Sequence, residues 1–141
     1  MTLHIGYDAK RIVSNGTGLG AYCRTLVNDL VGLALRNTQL HLYAPKHGRE
    51  ELRNQLVTSS QIQFHYPSSQ LPLYPAYWRR HGIVKALKAD NIQLFHGLSG
   101  ELPSGLRKAD IPAVVTIHDL IFLRHPEYYN PIDVWLSKQK F

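Results

Sequence analysis

The sequence has few of the residues that mark disulfide-rich, zinc-finger or membrane-spanning proteins. Its 141 residues include a single cysteine, Cys23, which has no partner for an internal disulfide. No Cys-x-x-Cys or His-x-x-x-His pair occurs and the eight histidines are scattered, so we expect no metal site. No apolar run approaches the ~20 residues that cross a bilayer, and the first residues lack the features of a signal peptide. These absences predict a cytoplasmic protein.

The sequence also has no long run of like charges, although its basic residues outnumber its acidic residues. The formal charge is +6 and the pI is about 9.6, which favours anionic partners such as phosphorylated small molecules. No run of five or more Lys/Arg and no nucleic-acid-binding signature occurs, so we predict no nucleic-acid partner. The length and the ordinary composition predict one domain over residues 1–141.

Short apolar runs of strand type alternate with segments of helical periodicity. The predicted strands are residues 3–8, 39–44, 61–65, 92–96 and 113–118. The predicted helices begin at residue 19, at residue 50 and at residue 76, and loops are expected at 8–17, 66–75 and 97–110. This alternation predicts an α/β fold with a doubly wound, mostly parallel, Rossmann-like sheet and helices on both faces. The fifth strand is apolar enough to be buried on both faces.

The apolar spacing of the helices predicts which side chains reach the core. The first helix has a buried stripe that includes Cys23, which we therefore interpret as a core residue and not as a nucleophile. The other members of the stripe are Leu19, Tyr22, Leu26, Val27, Leu30, Leu33 and Ala34. In the segment 76–89 the predicted inward residues are Tyr77, Ile83, Val84 and Leu87, with Gly82 as a weak point.

Three glycines, Gly16, Gly18 and Gly20, stand at alternate positions between the first strand and the first helix. A flexible turn that leads into a helix N-terminus is a natural site for phosphate or carboxylate. The glycines can equally serve only a tight turn and a close helix–sheet contact. The segment also matches G-x-G-x-x-G/A, but residues 9–15 separate it from the strand and no acid ends the second strand, which disfavours a nicotinamide or flavin site.

Ligands of open α/β sheets bind beyond the carboxyl ends of the strands. With the common strand order 3-2-1-4-5, the glycine loop would face His96 and Gly97, with His118 and Asp119 next to them. Positions about ninety to a hundred apart in the sequence would then meet in one crevice. Histidine at such an edge can donate hydrogen bonds or carry a proton. We interpret His65, at the end of the third strand, only as a satisfied polar residue.

The last residues predict the start of another helix. Asn130 is a good N-cap, Pro131 suits the first helical position and Asp133 suits the first turn. Val134, Trp135 and Leu136 would begin a buried face, yet the sequence ends at Phe141. We therefore expect the chain to be the N-terminal piece of a longer protein.

Three blocks of the sequence resemble a known family. They are Gly18-Leu19-Gly20-Ala21-Tyr22, Leu94-Phe95-His96-Gly97, and residues 115–129 from Val115-Thr116-Ile117-His118-Asp119 to Tyr128-Tyr129. Their order and spacing, over nearly the whole chain, are similar to the N-terminal domain of retaining, nucleotide-sugar-dependent glycosyltransferases of family 4. Those enzymes have the two-domain GT-B architecture.

The resemblance implies that this domain binds the acceptor and that a second Rossmann-like domain binds the nucleotide sugar. Gly18 and Gly20, with Gly16, would lie near the donor diphosphate. His118 would lie beside the transferred sugar, and Asp119 would hold that histidine or the acceptor. The family also implies transfer of a hexose such as mannose or glucose to a glycan or lipid-linked acceptor, in polysaccharide assembly, with no cofactor and no obligatory metal.

The sequence departs from the family in one respect. The family's second domain carries two glutamates seven residues apart, whereas Glu50, Glu51, Glu101 and Glu127 include no such pair. The donor-binding half is therefore absent, and we predict that these 141 residues alone transfer no sugar. The alternatives are a non-catalytic Rossmann-like nucleotide- or anion-binding module and a flavodoxin-like partner-binding domain.

Residues 66–81 combine a long loop with aromatic and basic side chains. Tyr74 and Arg79 are predicted to contact the acceptor, together with His96 and Gly97. Neighbouring Tyr77, Trp78 and Arg80 extend this group, which could also associate peripherally with the inner face of a membrane. We favour the simpler interpretation of a surface helix with solvated arginines.

Overall fold

A computed structural model describes residues 1–33 and 36–139, and its centre is a five-stranded sheet. Every strand pair is parallel, and the strand order is β3-β2-β1-β4-β5. The strands are β1 (Leu3–Asp8), β2 (Thr38–Tyr43), β3 (Ile62–His65), β4 (Leu94–Gly97) and β5 (Ala113–Val115). The predicted α/β class and strand order are therefore confirmed.

Helices connect the strands and cover both faces of the sheet. They are α1 (Lys10–Ser14), α2 (Gly18–Gly32), α3 (Glu50–Arg53), α4 (Tyr74–Tyr77), α5 (Ile83–Ala89), α6 (Ile121–Arg124) and α7 (Pro131–Lys138). A π-helical turn (Trp78–Gly82) joins α4 to α5, and a 3-10 turn (Pro126–Tyr128) lies between α6 and α7.

Alternate strand residues feed two separate apolar cores. On one face, Tyr7 and Leu42 pack with Cys23 and Val27 of α2. Burial raises the pKa of the Cys23 thiol to about 11, with the nearby Asp8 carboxylate adding to this effect. The thiol is therefore protonated at neutral pH, and Cys23 is the core residue that the helical stripe predicts.

The opposite face of the sheet packs against the segment that runs from α4 to α5. Tyr43 and Phe95 contact Trp78, Ile83 and Leu87, and all five side chains are buried. The two cores together give the predicted arrangement of helices on both faces.

The fifth strand is shorter and more exposed than its composition predicts. β5 ends at Val115, three residues before His118, and Val114 is 49% exposed. The reason lies in the topology: β5 pairs with β4 on one side and with no further strand of residues 1–33 and 36–139 on the other. An apolar run can therefore be an edge strand, and the prediction of burial on both faces is wrong.

The predicted helix over 76–89 also needs correction. It begins at Tyr74 and contains the π-helical turn, so Trp78 is buried whereas Tyr77 is 57% exposed. A π-helical turn has wider hydrogen-bond spacing, which places Trp78 and Ile83, five residues apart, on the same face. The prediction for Tyr77 assumed an uninterrupted α-helix and is wrong, while Ile83 and Leu87 are buried as expected.

Further differences concern the predicted loops and helix ends. The expected loop 8–17 contains α1, and the helix expected over 50–57 ends at Arg53. In the predicted stripe, Tyr22 and Leu33 are exposed, Leu33 because it follows the last residue of α2, and Ala34 lies outside the described residues.

The terminal helix begins as predicted. The Ile132 N–H donates to Asn130 Oδ1 at 3.1 Å, which is the expected N-cap contact. Val134 is buried, but Trp135 and Leu136 are exposed, because the main contacts of α7 are with the short α6 and the 3-10 turn. Phe141 lies outside the described residues.

Candidate active site at the carboxyl edge of the sheet

The glycine loop presents an open helix N-terminus. Asn15 Oδ1 accepts hydrogen bonds from the N–H groups of Thr17 and Gly20, both at 3.0 Å. The N–H groups of Gly18 and Leu19 have no acceptor within the part of the chain that the structure describes. Both point out of the positive end of a 15-residue helix, and together they can bind an anion.

The three glycines have different surroundings. A Cβ at Gly20 would lie 1.9 Å from the carbonyl oxygen of Asn15, so this position is fixed by close packing. A Cβ at Gly18 would meet nothing within 4 Å, and it would point into open space. At Gly16 a Cβ would lie 2.7 Å from Nη2 of Arg49, whose guanidinium therefore stands over the loop. Close packing therefore requires glycine at Gly20, whereas the backbone at Gly18 is open to an approaching ligand.

His118 contacts the first turns of α2. Its ring meets Tyr22 edge to face, with ring centroids 4.9 Å apart, and its Nε2–H donates to the Leu98 carbonyl at 2.7 Å. The same carbonyl is 4.0 Å from Cys23 Sγ. Helix α2 and the loops after β4 and β5 therefore meet at His118, while a single crevice shared with the glycine loop, His96 and Gly97 stays a prediction. In the tautomer that donates from Nε2, Nδ1 is an acceptor.

Asp119 does not contact His118 in the structure. Its Oδ1 accepts a hydrogen bond from the Ile121 N–H at 3.2 Å, so it caps the first turn of α6. Both residues are exposed, and they stand at the same edge as the glycine loop. Their roles in binding and catalysis stay predictions.

Beside the glycine loop, a cavity of about 720 Å³ opens at the carboxyl ends of β1 and β2. Its wall is partly apolar, with Val13, Pro45 and Ile83 among the lining residues. The polar part of the wall includes Lys10, Lys46, Arg80 and an ion-paired group formed by Asp8, Arg79 and Glu101. Ser14 links the cavity to the start of the glycine loop.

Arg79 is the centre of that ion-paired group. Its Nε donates to Asp8 Oδ1 at 3.2 Å, Nη2 pairs with the second Asp8 oxygen, and Nη1 pairs with Glu101. Burial opposes the charge of Arg79, but the two carboxylates outweigh it and raise its pKa. Burial lowers the pKa of Lys10, and the charges of Arg79 and Arg11 add to that effect. The interpretation of Arg79 as a solvated surface arginine is therefore wrong, because its partner Asp8 lies 71 residues away, beyond the reach of local pattern.

The other predicted acceptor residues do not line the cavity. The His96 ring bonds Thr116 Oγ1 through Nε2 at 2.7 Å and packs on Tyr7, and burial lowers its pKa. A Cβ at Gly97 would lie 2.1 Å from the Glu101 carbonyl oxygen, so this glycine lets the loop after β4 fold back. Tyr74 is half-buried beside Tyr77. Of the four predicted residues, Arg79 alone borders the cavity.

Comparisons with known proteins identify the family. The family model described as Glycosyltransferase Family 4 matches residues 16–140. The match includes the glycine loop, the loop after β4 and the segment around His118. A search of curated proteins and a search of solved structures found no significant match. Within the described residues, no helix has both the length and the apolar character needed to cross a membrane.

Proposed function

The chain belongs to glycosyltransferase family 4, and on this premise we propose that it forms the acceptor-binding, N-terminal side of a retaining, nucleotide-sugar-dependent glycosyltransferase. The observation that carries the proposal is the open start of α2. There the N–H groups of Gly18 and Leu19 lack an acceptor within residues 1–33 and 36–139, and the guanidinium of Arg49 stands over Gly16. Two oriented amides and a cation suit the diphosphate of a sugar donor.

His118 is proposed to lie beside the transferred sugar. Its edge-to-face contact with Tyr22 and its hydrogen bond to the Leu98 carbonyl hold the ring at the side of the glycine loop. The acceptor nitrogen Nδ1 can then receive a hydrogen bond from a sugar hydroxyl. Amide dipoles and basic groups would stabilise the departing nucleoside diphosphate, so the transfer needs no obligatory metal and no cofactor.

The cavity next to the loop is proposed to hold the acceptor. Its apolar wall can cover the faces of sugar rings, while the basic side chains of Lys46 and Arg80 can donate hydrogen bonds to hydroxyl groups. A glycan or a lipid-linked sugar of polysaccharide assembly is the proposed acceptor, and the transferred group is proposed to be a hexose such as mannose or glucose. We propose that the enzyme works in the cytoplasm.

We further propose that residues 1–141 are one domain and that a second domain in the same chain binds the nucleotide and most of the sugar. At the glycine loop the described residues offer two backbone amides and the Arg49 guanidinium, groups that suit the phosphates of a donor and not its base. The 141 residues alone would then be inactive.

The test is an assay of the chain expressed to its natural stop codon. Nucleotide sugars are supplied in EDTA with glycan and lipid-linked acceptors, and the release of nucleoside diphosphate is measured. We expect release from one donor, at least a hundredfold reduced by His118→Ala and lost on trimming to residue 141. His125→Ala is the matched control, because His125 is paired with Glu127 on the surface, and it should retain full activity.

A second candidate is a non-catalytic module that binds a nucleotide or another anion. The observation that favours it is that the open N–H groups of α2 need no second domain to bind a phosphate. Tight mononucleotide binding by residues 1–141, with no release from any donor by the longer chain, would establish this module and overturn the transferase proposal.

A further inference from the structure

A second cluster of polar side chains lies on the sheet face that packs against α5, outside the cavity. His41 and His65 come from neighbouring strands, and the register pairs His65 with Tyr43. His41, Tyr43 and His65 therefore project from the same face of the sheet. Asp90 follows the last residue of α5 and reaches the same place. None of these residues lines the cavity, so the cluster is separate from the proposed sugar site.

The contacts within the cluster are short and continuous. His41 Nδ1 lies 2.7 Å from His65 Nε2, and His65 Nδ1 lies 3.6 Å from Asp90 Oδ2. On the other side, His41 Nε2 lies 2.9 Å from His4 Nδ1. The Tyr43 hydroxyl donates to Asp90 Oδ2 at 2.7 Å. Two imidazoles and a carboxylate thus lie next to one another, with His4 behind His41 and the Tyr43 hydroxyl behind Asp90.

We propose that His41, His65 and Asp90 bind one divalent cation of the Zn²⁺ type. One potential ligand atom from each residue lies within 4.8 Å of the other two. Two imidazoles with one carboxylate form a common protein ligand set for Zn²⁺, with a fourth position left for water. Ligand bonds of about 2.0–2.1 Å require the facing nitrogens to separate by roughly half an ångström from the hydrogen-bonded distance.

The surroundings prepare these groups to act as ligands. His41 is 4% exposed, and its ring lies between the rings of His65 and His4. When Nδ1 binds a metal, Nε2–H can donate to His4 Nδ1, which fixes the tautomer. The Tyr43 hydroxyl orients the Asp90 carboxylate in the same way.

The position of the cluster indicates a structural role for the ion. β2 and β3 supply the two imidazoles, and the turn after α5 supplies the carboxylate. An ion held by all three would join the outer strand β3 to the helical layer that covers it. It would therefore stabilise the fold without taking part in sugar transfer, and this inference does not depend on the proposed function.

The test is metal binding by the chain after treatment with EDTA and removal of the chelator. Zn²⁺ is titrated by calorimetry at neutral pH, and Co²⁺ is added as an optical probe. We expect one Zn²⁺ per chain, a visible Co²⁺ spectrum of a four-coordinate site, and a melting temperature that rises with Zn²⁺. Mg²⁺ at the same concentrations should produce none of these effects.

Variants assign the ligands. His65→Asn and Asp90→Asn should each weaken Zn²⁺ binding at least a hundredfold, and Tyr43→Phe about tenfold as an orienting residue. His81→Asn removes an exposed histidine outside the cluster and should bind as the wild type does. Far-UV circular dichroism checks that each variant is folded before titration.

Two results would overturn the inference. One is the absence of saturable Zn²⁺ binding by the folded wild-type chain. The other is equal affinity of the wild type, His65→Asn and Asp90→Asn. Either result would leave the cluster as a chain of hydrogen bonds between imidazoles, with no effect on the proposed sugar transfer.

Discussion

The cavity and the glycine loop lie side by side at the carboxyl edge of the sheet, yet they use their polar groups in opposite ways. In the cavity, the charged groups of Asp8, Arg79 and Glu101 are paired with one another. In the loop, Asn15 caps part of the helix start and leaves the N–H groups of Gly18 and Leu19 open. Charged side chains beside a pocket can therefore be structural, while the backbone nearby is the part that is ready to bind.

This comparison predicts that substitutions in the ion-paired group lower the free energy of unfolding strongly. Substitutions in the glycine loop should lower it less. The largest effect is expected from Arg79→Met. Its removal leaves Asp8, which is 6% exposed, beside Glu101 without the guanidinium that joins the two carboxylates. We expect a loss of about 3–5 kcal/mol in the free energy of unfolding, measured by urea denaturation.

The neighbouring Arg80→Met is the matched control, because Arg80 is exposed. It should change the free energy of unfolding by no more than about 0.5 kcal/mol. Equal effects of the two substitutions would mean that the ion-paired group does not hold the cavity together.

A smaller loss is expected from Gly20→Ala. The added methyl would collide with the Asn15 carbonyl, so the loop must move away from α2 at a cost of about 1–3 kcal/mol. Gly32→Ala, at the other end of the same helix, meets nothing within 4 Å and should leave stability unchanged or raise it. Urea denaturation of both variants is the measurement, and equal midpoints would contradict the packing role assigned to Gly20.

Substitutions of Asn15, which caps the start of α2, allow a third comparison, between stability and anion binding. Asn15→Ala removes the acceptor for two N–H groups and should cost about 1 kcal/mol. Asn15→Asp keeps an acceptor and should retain most of the stability, but its charge should weaken binding of a nucleoside diphosphate at the same loop. Unfolding and nucleotide titration of both variants separate the two effects, and an aspartate variant that binds more tightly would contradict the proposed anion site.

The features that the sequence predicts are those fixed by local pattern. The three glycines locate the start of α2, and Asn130 with Pro131 locates the start of α7. Alternation of apolar runs and helices is enough to predict the parallel sheet, and the order of its strands is the common one for such folds.

The features that sequence reasoning missed depend on contacts between distant residues. Nothing near Arg79 indicates its pairing with Asp8, and nothing in the spacing of His41 and His65 indicates that their rings meet on adjacent strands. The exposure of β5 follows from its place at the end of the sheet, which composition does not reveal. The π-helical turn at Trp78 likewise has no pattern of its own in the sequence.

The most direct test of the central claim is nucleotide binding at the glycine loop. Uridine, guanosine and adenosine diphosphates are titrated by calorimetry into the chain expressed to its natural stop codon, as wild type and as Gly18→Ala, with Gly32→Ala as control. A Cβ at Gly18 meets no protein atom within 4 Å, so stability should be unchanged or raised slightly, whereas the methyl should block approach to the open N–H groups. We predict that one diphosphate binds Gly18→Ala at least tenfold more weakly than it binds the wild type, and that it binds Gly32→Ala with wild-type affinity. Equal affinity of the wild type and both variants would contradict the account.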